Sequence, residues 1–272
     1  MTSGRDRRRG GAPLRRDRRS RGDGREGPIA VVGRRPALEA VRSGRAIEVL
    51  VAQEARSTAA LREVVEAAGA SDIPVVRVPG ERIESLADGA LHQGVAARVR
   101  PVARLAETDL ASRDWAPDSV VVAIDGVTDP QNLGALARTV EAAGAEALIT
   151  RRRRAAHLQK VAIKASAGAL LHLPVAEVAN IPRALSLLKE AGFWVVGMDE
   201  SAETSIFEEE PTGRLAIVLG AEGTGLSRLV RASCDELLAI PIRGKVASLN
   251  VSVAAGVALF AYAMRGKEKK GT

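Results

Sequence analysis

Residues 240–260 read IPIRGKVASLNVSVAAGVALF, and this stretch decides the fold expected for the rest of the chain. It begins in a short apolar strand, predicted over Leu237 to Ile242, and breaks at the charged turn Arg243-Gly244-Lys245. It then passes through Ser248-Leu249-Asn250 into a helix of small apolar residues. Side-chain oxygens of Ser and Asn cap exposed N–H groups at helix starts. Alone, the stretch predicts either a capped core helix or one wall of a binding site.

The composition limits the classes of protein that this chain can be. Its 272 residues are 46% hydrophobic but only 2% aromatic, which predicts two domains with cores of Ala, Val, Leu and Ile. The single cysteine, Cys234, excludes an intramolecular disulfide and a cysteine-cluster metal site, and it favours a reducing cytoplasm. The charged N-terminus predicts no signal peptide. Polar residues within Val246 to Met264 favour a core helix over a membrane span. We therefore predict neither a metal nor a membrane partner.

The positive charge is concentrated in the first residues. Residues 1–27 carry ten arginines against four acidic residues, a net +6 of the total +7, which leaves about +1 for the other 245 residues. This Arg- and Gly-rich tail has almost nothing to bury and is predicted to be disordered. It is either a nonspecific arm for RNA phosphates or a solubilising extension.

Two regions of alternating strands and helices follow the tail. Residues 28–100 predict a small α/β domain without a catalytic constellation, 101–117 a polar linker, 118–265 a larger α/β domain, and 266–272 a short basic tail. In the larger domain, Ser119 to Asp125 and Leu215 to Gly220 are continuous apolar runs typical of buried parallel strands. Helices are predicted over Asn132 to Ala143, Val161 to Leu171 and Ile181 to Ala191. Ligands bind at the carboxyl ends of strands in such sheets.

A first polar cluster, Asp129-Pro130-Gln131-Asn132-Leu133-Gly134, lies just beyond a predicted strand. Pro130 and Asn132 suit a helix start, where N–H groups and the positive dipole end face a bound anion. Arg138 follows among small helical neighbours and has room to reach a ligand. The alternative is a surface ion pair between Arg138 and Glu141.

A second cluster, 220–226 (GAEGTGL), follows the most strand-like segment of the chain. Its spacing is G-x-x-G-x-G, which is neither the dinucleotide fingerprint nor a phosphate-binding P-loop, so a dinucleotide-dependent oxidoreductase is disfavoured. A buried Glu222 in such a turn would need a hydrogen-bond donor from a helix start or a ligand. The alternative is a polar surface turn.

The three clusters together resemble the three motifs of the SpoU (TrmH-type) RNA 2′-O-ribose methyltransferases. The resemblance is carried by 129–134 (DPQNLG) with Arg138, by 219–223 (LGAEG), and by 240–242 (IPI) with 248–254 (SLNVSVA). It covers residues 118–265. Residues 30–100 resemble more loosely the RNA-binding domain of members that methylate a guanosine of 23S rRNA.

The resemblance implies a fold, a cofactor and site residues. The larger domain would be a parallel-sheet α/β trefoil knot (the SPOUT fold), preceded by an α/β RNA-binding domain, and the chain would form a homodimer with its site near the subunit interface. S-adenosylmethionine would be the cofactor and an RNA ribose 2′-hydroxyl the methyl acceptor, in 23S rRNA or alternatively in tRNA. The implied cofactor-binding residues are Leu219, Gly220, Gly223, Ile240 and Leu249, and the implied catalytic residues are Asn132, Arg138, Glu222, Ser248 and Asn250.

Two further interpretations concern RNA. The run Arg151-Arg152-Arg153-Arg154 follows a predicted strand end and is interpreted as an RNA clamp rather than a solvated face. A catalytically inactive RNA-binding protein of the same fold is the competing hypothesis. The joint presence of all five implied catalytic residues favours the enzyme.

Overall fold

The computed structural model describes residues 29–87, 89, 91–100, 104–127, 129–152, 166, 168–208, 212–221, 223–245 and 248–268. The predicted disordered tail 1–27 and most of the helix predicted over Val161 to Leu171 lie outside these ranges. So does the predicted site residue Glu222.

The N-terminal domain is a four-stranded sheet in the order β1-β4-β2-β3. Strand β4 pairs antiparallel with β1 and β2, and β2 pairs parallel with β3. Apolar residues of β2 alternate between the two faces, because Val49 and Val51 pack with α1 and α2 while Leu50 and Ala52 pack with α3. The elements are β1 (Ile29–Val32), α1 (Arg34–Arg42), β2 (Ala46–Ala52), α2 (Ala59–Ala70), β3 (Val75–Val78), α3 (Gly80–Ala87) and β4 (Val95–Val99).

The second domain is a seven-stranded sheet in the order β11-β9-β10-β6-β7-β8-β5. Every neighbouring pair in it is parallel, as the continuous apolar strands predict. All residues of its inner strand β10 are buried. Its strands are β5 (Arg104–Leu105), β6 (Val120–Ile124), β7 (Ala147–Arg151), β8 (Val175–Val178), β9 (Trp194–Met198), β10 (Leu215–Leu219) and β11 (Glu236–Leu238).

Helices cover both faces of this sheet. On β6, Val122 and Ile124 pack on the face with α5 and α8, whereas Val121 and Ala123 pack on the face with α4, α6 and α7. The helices are α4 (Asp109–Ser112), α5 (Pro130–Ala142), α6 (Ile181–Glu190), α7 (Arg228–Ser233) and α8 (Val251–Glu268), with a 3₁₀ turn at Ala169–Leu171. Within the described residues, we find no helix with the length and hydropathy that a membrane span requires.

Three predicted boundaries differ from the structure. The strand predicted over Leu237 to Ile242 ends at Leu238, since Pro241 has no N–H to donate to a ladder. Helix α5 begins at Pro130, because the side chain of Asp129 caps it by accepting the Gln131 N–H. The segment predicted as a linker contributes β5 and α4, and its Trp115 is 2% exposed in the core of the second domain. Burial of that indole joins the segment to this domain.

The two domains are in direct contact. The guanidinium of Arg45 in the N-terminal domain donates to the carbonyl of Leu171 in the second domain. Leu170 and Leu171 also belong to an apolar cluster that includes Leu38 and Val41 of α1. The 3₁₀ turn therefore links the second domain to the N-terminal domain.

Candidate active site

The glycine-rich loop after β10 folds back on itself beside the carboxyl edge of the sheet. The Ala221 N–H donates to the Gly225 carbonyl at 3.1 Å, and the Gly225 N–H donates to the Ala221 carbonyl at 2.9 Å. A Cβ placed on Gly220 would overlap the backbone of Gly225. Gly225 has φ of 64°, a conformation that side chains disfavour. Glycine at these two positions therefore lets the loop close tightly and present its backbone to a ligand.

Asp125, directly after β6, anchors the end of this loop. Its side chain is buried and accepts a hydrogen bond from the Ser227 N–H at 2.9 Å. Its own N–H donates to the Leu219 carbonyl at 2.8 Å. A buried carboxylate needs such donors, so Asp125 fixes both sides of the loop to the neighbouring strand.

The described part of residues 240–260 forms the opposite wall of the site. Asn250 caps α8, because its Oδ1 accepts the Ser252 N–H at 2.9 Å and the Ser252 hydroxyl at 2.6 Å. Its Nδ2 donates to Oδ1 of Asn132 in the first turn of α5, at 3.2 Å. No hydrogen bond by Ser248 to the helix start is seen among the described residues. Asn250 thus caps one helix and joins it to another.

A cleft of about 380 Å³ lies where β9, β10 and β11 end. Leu219, Ile240 and Leu249 form the apolar walls of the cleft, and the glycine-rich loop contributes backbone groups. The polar side chains of the lining include Asp199, Ser201 and Thr224. The structure places every predicted cofactor-binding residue here, together with Ser248. The residues that line this cleft include Asp199, Ser201, Leu219, Gly220, Gly223, Thr224, Gly225, Arg231, Ile240, Ser248, Leu249 and Val251.

Two predicted catalytic residues, Asn132 and Asn250, lie together in the structure, whereas Arg138 lies apart from the cleft. Asn132 and Asn250 are hydrogen-bonded, and Asn250 lies between two residues that line the cleft, Leu249 and Val251. Arg138 does not line this cleft. It lies exposed on α5, beside a second cleft, and makes no ion pair with Glu141 or any other described residue. The alternative of a surface ion pair between Arg138 and Glu141 is therefore not observed.

Three residues of the cleft were missed by the sequence analysis. Arg231 of α7 pairs with Asp199 at 2.5 Å between Nη1 and Oδ2, and Ser201 donates from its hydroxyl to Asp199 at 2.7 Å. Asp199 follows β9 just as Asp125 follows β6. Both aspartates thus lie at the carboxyl ends of parallel strands. The same position, just after an apolar strand, identified the polar clusters in the sequence, and it could have identified these two residues as well.

Removing the positive charge of Arg231 tests whether that charge lowers the pKa of Asp199. Burial alone raises the pKa of Asp199, but hydrogen bonds from Ser201 and the charge of Arg231 outweigh it, so the pKa lies below its ordinary value of 3.8. The folded state therefore favours the carboxylate, and this contribution to stability is present above pH 3.8 and lost as the pH falls through the lowered pKa. We expect Arg231→Ala to raise the Asp199 pKa, measured by carboxyl NMR. The stability difference between wild type and variant should shrink in acid. An unchanged Asp199 pKa would contradict this assignment.

The residues of the cleft fit S-adenosylmethionine. An adenosine ligand needs apolar walls for its base and a few polar groups for its ribose and amino-acid ends. Leu219, Ile240 and Leu249 can hold the base, while Ser201 and Thr224 offer hydroxyls. Glycine at position 220 lets the backbone of Gly225 pack directly against it, which sets the position of the loop backbone along the cleft.

The predicted RNA clamp is described only in part. Arg151 ends β7 and is exposed, and Arg152 is exposed and donates through its N–H to the Val178 carbonyl at 2.7 Å. Arg153 and Arg154 lie outside the described residues. The first two arginines therefore emerge at the carboxyl edge of the sheet, the edge that also carries the cleft.

Comparisons with known proteins agree with this architecture. The model of the SpoU rRNA methylase family matches residues 119–260, and a model described as RNA 2′-O ribose methyltransferase substrate binding matches residues 30–105. The chain is 44% identical over 179 residues to the 23S rRNA (guanosine-2′-O-)-methyltransferase RlmB of Escherichia coli, covering 65% of this chain and 74% of RlmB. It is 40% identical over 231 residues to a Mycobacterium leprae protein named a tRNA/rRNA methyltransferase, covering 84% and 75% of the two chains.

Solved structures give the same result. The crystal structure of the SpoU methyltransferase AviRb from Streptomyces viridochromogenes, in complex with the cofactor AdoMet, is 26% identical with a TM-score of 0.71 and covers 89% of this chain and 91% of that one. A crystal structure of an RNA 2′-O ribose methyltransferase is 25% identical with the same TM-score of 0.71, covering 89% of both chains. The predicted SPOUT-type α/β fold, with its preceding α/β domain, is confirmed. With both domains matched in order, the chain belongs to the SpoU family of RNA methyltransferases.

Proposed function

We propose that this enzyme uses S-adenosylmethionine to methylate the ribose 2′-hydroxyl of a guanosine in 23S rRNA. The observation that carries the proposal is the cleft at the ends of β9, β10 and β11, whose walls are the residues predicted to hold that cofactor. The target is proposed from the similarity to RlmB, since the chain matches 74% of that protein's length. RNA is the substrate class of the matched N-terminal family.

The chain's own residues hold the cofactor, align the acceptor hydroxyl and polarise it. S-adenosylmethionine, when bound, supplies an electrophilic methyl group on a sulfonium sulfur. Leu219, Ile240 and Leu249 would hold its adenosine, and the backbone around Gly220 and Gly223 would satisfy its polar groups. Once the cofactor is bound, the apolar walls would cover its base and keep water from that part of the cleft.

The acceptor hydroxyl must be aligned, and the proton that it loses passes to solvent water. Asn132 and Asn250 already hold one another at 3.2 Å, which fixes the helix starts between which a ribose would lie. Ser248 lines the cleft beside them, and we assign Glu222 to the same positioning task. A guanidinium group offers N–H donors and no acceptor, which suits Arg138 to contacts with oxygen atoms. We assign it to anchoring a phosphate of the RNA and polarising the 2′-hydroxyl.

Loss of the gene tests the proposed target. We expect 2′-O-methyl mapping of total RNA to show one 23S rRNA guanosine that is methylated in the parent strain and unmethylated in a deletion strain. The mark should return when wild-type protein is supplied. Unchanged rRNA in the deletion strain would contradict the proposal. Loss of a tRNA mark instead would favour the second candidate, a tRNA 2′-O-methyltransferase, which the tRNA/rRNA names of the mycobacterial relatives suggest.

We further infer a cytoplasmic homodimer joined through α8. Val253 and Phe260 of this helix are 51% and 43% exposed, and a spacing of seven residues places them on one side. Exposed apolar residues in line along a helix are typical of a protein contact. We expect the wild type to sediment as a dimer and the variant Val253→Asp/Phe260→Asp as a monomer. A wild-type monomer at micromolar concentration would contradict this inference.

A further inference from the structure

A second cleft, of about 560 Å³, lies between the two domains. Helices α1 and α2 form one wall, and α5 with the residues around the 3₁₀ turn forms the other. It is separate from the cofactor cleft, with which it shares no lining residue. Its lining consists of Arg34, Arg35, Leu38, Glu39, Arg42, Ala60, Glu63, Arg138, Glu141, Ser166, Ala169 and His172.

Polar contacts hold the walls of this interdomain cleft in place. Glu39 of α1 lies 3.5 Å from the His172 imidazole. The Arg45 guanidinium donates to the Leu171 carbonyl from the same side of the N-terminal domain. These two contacts across the domain boundary hold the two walls in place, so the interdomain cleft is part of the fold.

The charges in the interdomain cleft are unequally compensated. Glu63 and Glu39 have a common partner in Arg42, at 2.8 Å and 3.6 Å respectively. In contrast, Arg34, Arg35 and Arg138 form no ion pair with any residue of the described ranges. Glu141 is the one lining carboxylate without an ion-pair partner among those residues. The lining as a whole holds four arginines and three glutamates, a formal excess of one positive charge, and three of the arginines have no ion-pair partner among the described residues.

Arg34 carries a further sign of a missing partner. Its Nε atom is buried and has no hydrogen-bond acceptor among the described residues. Buried guanidinium nitrogens without acceptors are costly, so this atom calls for an acceptor oxygen supplied from outside the described residues. The start of α1 adds to the positive potential around Arg34. Gly33 has no side chain to cap this helix, and the first turn carries the positive end of the helix dipole.

We propose that the interdomain cleft binds the phosphate backbone of the RNA next to the methylated nucleotide, with Arg34 and Arg35 as positioning residues opposite Arg138. This inference rests on the proposed function. Guanidinium groups match phosphate oxygens in a fork geometry, and three of them on two facing walls suit a polymer that passes between the domains. The N-terminal domain would thereby set the position of the ribose relative to the catalytic domain.

Alanine and lysine substitutions at these two arginines test the proposal in the full-length protein. We expect Arg34→Ala and Arg35→Ala each to weaken binding of a 23S rRNA fragment by about tenfold or more and to raise KM for RNA more than they lower kcat. The slope of log affinity against log salt should become shallower by about one for each lost phosphate contact. Arg34→Lys and Arg35→Lys should recover part of the affinity, because the charge remains while the fork geometry is lost.

The matched control is Arg82→Ala, an exposed arginine on α3, on the other face of the N-terminal sheet. It removes the same charge but leaves the interdomain cleft intact, so RNA affinity and salt slope should stay near wild type. Equal melting temperatures and equal S-adenosylmethionine affinity would show that the variants are folded.

The outcomes separate this inference from the proposed function. If wild-type protein methylates the fragment and the Arg34 and Arg35 variants match Arg82→Ala in KM and salt slope, the interdomain cleft is not the RNA path and the inference is wrong. If the wild type transfers no methyl group to any RNA, the proposed function itself fails. Selective loss of RNA affinity with partial rescue by lysine supports the inference.

Discussion

Arg138→Ala is expected to reduce methyl transfer to RNA by about a hundredfold or more while S-adenosylmethionine still binds normally. Removing a single group that stabilises developing charge typically costs this much. The side chain is exposed, forms no ion pair with a described residue, and does not line the cofactor cleft. Neither folding nor the cofactor should therefore depend on it. Single-turnover transfer of a labelled methyl group, together with calorimetry of cofactor binding, measures the two quantities separately.

The control for this prediction is Arg183→Ala. That arginine is also exposed, and it lies on α6, on the opposite face of the same sheet, in a surface pair with Glu107 at 3.1 Å. Exposed ion pairs contribute little to stability, so transfer should be close to wild type. Turnover of Arg138→Ala at the level of this control would remove Arg138 from the mechanism.

Gly220→Ala is expected to weaken S-adenosylmethionine binding by about tenfold to a hundredfold. The added Cβ would overlap the backbone of Gly225, and relieving such a contact between two backbones typically costs about 1–3 kcal/mol. The loop would open and its backbone would leave the position that lines the cleft. Calorimetry with S-adenosylmethionine measures the loss, and circular dichroism checks that the sheet remains folded.

Gly244→Ala serves as the matched control for Gly220→Ala. Gly244 lies in the exposed turn after β11, and a Cβ built there meets no atom within 4 Å. The same chemical change should therefore leave cofactor affinity unaltered. Equal affinity in both variants would show that the tight closure of the glycine-rich loop is irrelevant to binding.

The parallel sheet could be predicted from sequence because its strands are buried on both faces. Segments such as Ser119 to Asp125 and Leu215 to Gly220 are apolar without alternation, which is a local property of the sequence. The polar clusters were found for the same reason, because each follows such a strand. Asp125 and Asp199 show the same pattern and were missed, since each is a single residue rather than a cluster.

The cleft that Arg138 lines could not be predicted from the six-residue spacing between Asn132 and Arg138. Residues advance by about 100° around a helix, so Arg138 lies about two-thirds of a turn away from Asn132. Arg138 accordingly lines the interdomain cleft, whereas Asn132 is hydrogen-bonded to Asn250. The interdomain cleft was also beyond sequence reasoning, because it depends on how α1 packs against the 3₁₀ turn. Contacts between distant segments such as Arg45 and Leu171 carry no local signal.

The most direct test of the account uses two RNA substrates that differ by one oxygen atom. Purified protein is incubated with labelled S-adenosylmethionine and a 23S rRNA fragment that contains the mapped guanosine, or the same fragment with a single 2′-deoxyguanosine there. We predict one methyl group per fragment on the ribose of the first substrate, resistant to alkaline cleavage, and none on the second. Equal methylation of both fragments would contradict transfer to the 2′-hydroxyl.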